Sequence, residues 1–179
     1  MAGFMDFIND AINSAINSND KDSFFKVACL LTYANNNTAS KTDIELSTEL
    51  YNTIFFNEPM IPIQMDKKLK KIYQDIYDNG YDPDDVIENI LNGRIDRNKL
   101  KIFFICACIL GCMPNDHGEL DEGKLFMTYL IKKGFELSDD EVNDSYNFAR
   151  NYFGLDYNAY QNMVTLLEES FEYFENKFN

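Results

Sequence analysis

Glycine and proline are scarce in this sequence, at eight and four residues, and that shortage argues against a turn-rich β-architecture and for long helices. Histidine is scarcer still. His117 stands alone, with no serine or cysteine nucleophile beside it, no HExxH pair and no glycine-rich phosphate loop. Carboxylates alone can carry acid–base catalysis, yet no catalytic spacing is recognisable, so a non-enzymatic protein is expected. No apolar run approaches the roughly 20 residues that a bilayer span needs. The opening MAGFMDFINDAINSAIN lacks the basic start and continuous apolar core of a secretory signal. Basic residues are outnumbered, 16 Lys and Arg against 30 Asp and Glu, for a formal net charge of -14. A field of that sign repels nucleic acid and anionic membranes, and it attracts cations or a protein partner with a basic surface.

What is present points to a packed core. Hydrophobic residues make up 45% of the 179, with 15 Phe and 11 Tyr, enough to bury a core without disulfide or metal staples. One domain spanning residues 1–179 is expected. Cys29, Cys106, Cys108 and Cys112 all lie in apolar helical runs, and their spacing is not that of a zinc ribbon. They read as reduced thiols packing as small hydrophobes, which fits a cytoplasmic compartment.

Apolar residues at three- and four-residue spacing mark the helices. Phe4 to Ile16 form an amphipathic stretch with a neutral to acidic polar face, expected to pack on the protein's own body. Asn19-Asp20 is expected to break it, with Asp22 or Ser23 capping a helix over Phe24 to Ala34. Asn35 to Thr38 read as a turn, and a third helix starts from Ser40. Pro59 and Pro62 hold Met60-Ile61 extended, placing a hinge near residues 57–64. A fourth helix carries Lys67, Lys68, Lys70 and Lys71 and stops at Asn79-Gly80. Asp82-Pro83 opens the next, with Gly93 expected as its C-cap. The central helix is expected over Leu100 to Met113. The following one ends at Gly134, the capping box Ser138 to Glu141 starts another, and Asp156 caps the last. Acidic helix faces at Asp139 to Asp144 and at Glu168 to Glu175 are candidate partner surfaces.

The chain also repeats itself. FFKVACLLTYANNNTASKTDIEL, from Phe24 to Leu46, aligns without gaps on FFICACILGCMPNDHGELDEGKL, from Phe103 to Leu125. The copies extend over residues 24–51 and 103–130, so the expected fold is all-α, a single helical bundle of about eight or nine helices containing two pseudo-repeated hairpins.

In the second copy an apolar helix runs into Asp116-His117-Gly118-Glu119-Leu120-Asp121-Glu122 and a further helix. This resembles the helix, acidic glycine turn and helix of TerB-like tellurite-resistance domains, over Phe103 to about Phe153. The resemblance implies an all-helical stress protein with clustered acidic residues that bind metal. The family's turn has aspartate directly before glycine and a glutamate six residues beyond; here His117 intervenes and Lys124 stands at the later position. Read instead as an EF-hand with Gly118 as the invariant glycine, the turn places Lys124 where calcium needs a bidentate glutamate. Asp116, Glu119, Asp121 and Glu122 then form the candidate site for a weakly held divalent cation. The competing reading is that these acids favour the start of the next helix. No other cofactor is expected. Two functions follow: an acidic protein-interaction domain of TerB-like type, or an acidic inhibitor that mimics nucleic acid and blocks a basic nucleic-acid-binding protein.

Overall fold

A computed structural model describes residues 18–35 and 38–179; the stretch from Phe4 to Ile16 and the middle of the Asn35 to Thr38 turn lie outside the described residues. The described chain is all-helical: α1 Ser18–Thr32, α2 Lys41–Ile54, α3 Pro62–Asn79, α4 Pro83–Asn92, α5 Arg97–Gly111, α6 Glu122–Gly134, α7 Asp139–Tyr152 and α8 Tyr157–Phe178. No helix among the described residues is long and apolar enough to cross a membrane.

Local chemistry sets most of the helix starts. Ser40, Asp82, Asp121, Ser138 and Asp156 each accept a hydrogen bond from a backbone N–H of the helix they open, satisfying donors that the first turn otherwise leaves unpaired. Gly80, in the left-handed region at φ 66, closes α3. Three boundaries differ from expectation. Asn19-Asp20 does not break a helix, because Asp20 is buried inside α1 and paired with Lys99 of α5 at 2.8 Å. The central helix starts at Arg97, capped by Asp96, and ends at Gly111. After α4 the left-handed residue is Arg94, φ 55, while Gly93 sits at φ -71.

The two copies fold alike. α1 and α5 are both 15 residues long, and Asp20 and Lys99, 79 positions apart, hold equivalent places in them. Counted from the helix starts, Asp43 and Lys124 are both the third residue of the second helix of their hairpin. They lie 81 positions apart because the second turn is two residues longer, so the gapless match of the sequence, which sets Glu122 opposite Asp43, does not hold beyond the turn. These two also pair, at 2.5 Å. By helix position each pair joins two corresponding residues, the contact pattern of a pseudo-two-fold arrangement of the hairpins about the α1–α5 contact. Those helices pack along each other, α1 also meets α6 as α5 meets α2, and α3 covers α1 as α7 covers α5. The hairpins differ inside. A side chain at Gly111 would overlap Thr128 of α6, so α5 and α6 approach closely; α1 carries Thr32 at the equivalent place and packs less on α2.

The core follows the repeated Phe-Phe. Phe24 packs edge-on against Tyr51 and Phe55, and Phe104 lies between Tyr146 and Phe171, each buried ring contributing roughly 2–3 kcal/mol. Cys29, Cys106 and Cys108 are buried free thiols and Cys112 is half-buried. Burial pushes Cys29 and Cys112 up to about 12, so they pack and do not ionise. The expected hinge segment is anchored: the Asn52 amide bonds both the N–H and the C=O of Met60, and Lys21 of α1 pairs with Glu58.

Candidate functional site

The acidic turn is ordered by one asparagine. Asn115 Oδ1 accepts from the backbone N–H groups of His117 and Glu119, both at 2.9 Å, and Gly118 takes φ 76 to close the loop. This leaves Asp116, His117 and Glu119 exposed. Asp121 Oδ1 accepts from the N–H groups of Gly123 and Lys124 and from the Asn35 side chain, while Glu122 lies exposed in the first turn of α6.

The turn does not gather its four acids into a metal centre. Among the described residues no three His, Cys, Asp or Glu side chains converge to hold an ion. The cation between the two hairpins is instead the chain's own. Lys124 is only 6% exposed, and its ammonium donates to Asp43, itself 4% exposed, across the pseudo-two-fold. A buried cation beside a carboxylate supplies the neutralisation a metal would bring.

Around that ion pair is a polar pocket of about 430 Å³, lined by Thr32, Ser40 and Asp43 of the first hairpin and by Asn115, Asp116 and Asp121 of the second. Ser40 Oγ accepts from Asp43 N at 3.0 Å. Thr32 is 5% exposed, and its hydroxyl is buried with no hydrogen-bond partner among the described residues.

A second concavity, about 340 Å³, lies where α3 turns into α4 against α1. Ile72, Ile76 and Val86 line its apolar part, and Asp75, Asp85 and Glu88 its exposed acidic rim. Tyr81 also lines it and is 54% exposed, with Tyr77 nearby at 71%. From Ile72 to Gly93 the chain has six carboxylates, Asp75, Asp78, Asp82, Asp84, Asp85 and Glu88, and no lysine or arginine. Among the described residues the one cation lining the groove is Lys26 of α1, bonded to Asn89 at 2.5 Å. Sequence reasoning passed over this elbow because the adjacent lysine run draws attention. Counting charge over Ile72 to Gly93 would have exposed it.

The acidic faces singled out from the sequence are partly occupied. Arg97 holds Glu141 through both carboxylate oxygens and also bonds the carbonyls of Phe135 and Glu136, which pulls Glu141 from 4.5 to about 2. Asp144 pairs with Lys101 at 3.0 Å. On α8, Glu175 accepts from the Tyr129 hydroxyl at 2.6 Å, whereas Glu168, Glu169 and Glu172 face solvent. The lysine run is a solvated face, with Lys70 paired to Asp66 and Lys68 over the Phe25 ring. Compared with known proteins, the chain matches no family model, no curated protein and no solved structure.

Proposed function

We propose that this chain is a non-enzymatic protein-interaction domain of TerB-like type, acting in the cytoplasm, that receives a basic amphipathic segment of a partner in the α3–α4 groove. The observation that carries the reading is the pairing of an apolar floor, Ile72, Ile76 and Val86, with a rim of Asp75, Asp85 and Glu88 in a stretch without basic residues. An amphipathic helix lays apolar anchors into such a groove while its lysines and arginines meet the rim, and the chain's net charge of -14 speeds the encounter. Tyr77 and Tyr81 add exposed aromatic area of the kind that anchors interfaces. The apolar floor favours this reading over a nucleic-acid mimic, which needs carboxylates at phosphate-like spacing and no greasy trough.

The test is fluorescence anisotropy with a labelled amphipathic helical peptide of leucine and lysine. Asp75→Lys and Glu88→Lys are expected to weaken binding about tenfold or more, about 1.4 kcal/mol. Glu172→Lys on α8 makes the same charge change away from the groove and is expected to shift it less than about twofold. Equal losses at all three positions would mean that net charge, not the groove, attracts the peptide.

A further inference from the structure

We propose that the exposed face of α3, with the connection leading into it, is a docking surface for an anionic lipid bilayer, which it meets peripherally. The face is independent of the α3–α4 groove. Its first support is an apolar tip: Phe56 is 52% exposed, Ile61 57% and Ile63 65%, with Pro59 and Pro62 exposed beside them. The Asn52 amide ties Met60 back to the last turn of α2, which brings Phe56 and the first turn of α3 together. Ile61, Pro62 and Ile63 form an unbroken exposed apolar run, a pattern that costs solubility unless it serves a contact.

The second support is the charge behind that tip. Ile63, Lys67, Lys70, Lys71 and Gln74 recur at three- and four-residue spacing and all are exposed, so one side of α3 reads as an isoleucine followed by three lysines. Met65 and Leu69 are buried on the other side, where Ile72 and Ile76 line the groove. From Phe56 to Lys71 the chain has four lysines and two acids. Both acids are paired, Asp66 with Lys70 and Glu58 with Lys21 of α1. The first turn of α3 carries no acidic residue, so the positive end of its macrodipole adds to the lysines.

The chain's overall negative charge does not cancel this patch, because charges farther away than about 8–10 Å are screened at physiological salt. Asp78, on the same side of α3 as Lys71, lies about 10 Å further along the axis, so the helix meets the surface by its N-terminal half. Nucleic acid offers no apolar layer to receive Ile61 and Ile63. A protein partner needs a hollow shaped to fit them, whereas a bilayer accepts protruding side chains of any shape. Lysines beside an apolar tip match anionic headgroups above an acyl layer. Docked in this way, α3 turns the groove away from the bilayer.

The experiment follows the full chain onto sucrose-loaded vesicles, of phosphatidylcholine alone or with about 30% phosphatidylserine, at about 0.1 M salt. The partition coefficient onto anionic vesicles is expected to exceed that onto neutral ones at least about tenfold. Lys67→Gln/Lys71→Gln should weaken it about tenfold or more, and Ile61→Ser/Ile63→Ser by a similar factor. All four side chains are exposed, so unchanged melting temperatures separate lost docking from lost folding. The chain has no tryptophan, so Ile63→Trp supplies a single reporter whose emission should shift to the blue on anionic vesicles, while Tyr173→Trp on α8 should not shift. The proposal is overturned if neutral and anionic vesicles bind alike, if either double variant binds like wild type, or if the reporter replacing Ile63 shifts no more than the one on α8. It is also overturned if soluble polyglutamate binds as tightly as the vesicles and Ile61→Ser/Ile63→Ser leaves that binding intact, which would assign the face to an acidic protein.

Discussion

Replacing Lys124 by methionine removes the cation at the pseudo-two-fold and leaves Asp43, 4% exposed, facing an apolar side chain. Breaking a buried pair from one side costs about 3–5 kcal/mol, because the remaining charge is neither solvated nor paired. For a chain of this length each kcal/mol lowers the melting temperature by about 2–4 °C. The expected loss from Lys124→Met is therefore on the order of 10 °C. Removing both charges, Asp43→Leu with Lys124→Met, should return stability to within about 1 kcal/mol of wild type, since no stranded charge remains. The exchange Asp43→Lys with Lys124→Asp tests the symmetry itself. Both residues occupy the third position of a helix, so the acid lost from the first turn of α2 reappears in the first turn of α6 and the macrodipole contributions cancel. The exchanged chain should recover at least half of what either single reversal loses. Urea unfolding followed by far-ultraviolet circular dichroism at pH 7 gives the four stabilities of the cycle. A loss under about 1 kcal/mol for Lys124→Met would show that the pair is hydrated and not buried, and an exchange no better than its parts would refute the two-fold.

Two other outcomes are expected. Gly111→Ala should destabilise by about 1–3 kcal/mol, because its Cβ would overlap Thr128 Oγ1 and press on the Lys124 carbonyl, outweighing the helix propensity gained; denaturant melts of this variant beside Gly111→Ala/Thr128→Ser and Gly111→Ala/Thr128→Ala check it, relief in the second double variant being the signature of the clash. Glu141, pulled from 4.5 to about 2 by the Arg97 guanidinium, contributes stability that is present above about pH 4.5 and lost as the pH falls toward 2. Arg97 is half exposed, so solvent screening holds that share to roughly 1 kcal/mol; Arg97→Met should flatten the pH dependence of unfolding between about pH 5 and 2 by that amount, and parallel profiles would refute it.

The starts of α2, α4, α7 and α8 were legible because a cap is a local event: Ser40, Asp82, Ser138 and Asp156 each reach a backbone N–H a few residues ahead. The Phe-Phe repeat was legible for a similar reason, since helical spacing of apolar residues is written along the chain. The left-handed Arg94 and Glu136 were not, because each follows a glycine close by, Gly93 and Gly134, that looked like the natural place for the turn. At Gly134 the absent side chain makes room for Ile87 of α4, a packing reason that local rules do not see. The elbow between α3 and α4 was visible as an unbroken run of acid, yet that Ile72, Ile76 and Val86 meet beneath it depended on how two helices turn.

By itself, then, the amino-acid order determined the helical class, the two hairpins and most helix starts, all consequences of interactions within a few residues. Tertiary packing alone decided the rest: that Asp20 meets Lys99, that Lys124 is buried against Asp43 between the hairpins, and that the Thr32 hydroxyl is buried without a partner among the described residues. Charges some eighty residues apart acquire partners only when the copies pack around a shared axis, and burial then makes those pairings strong.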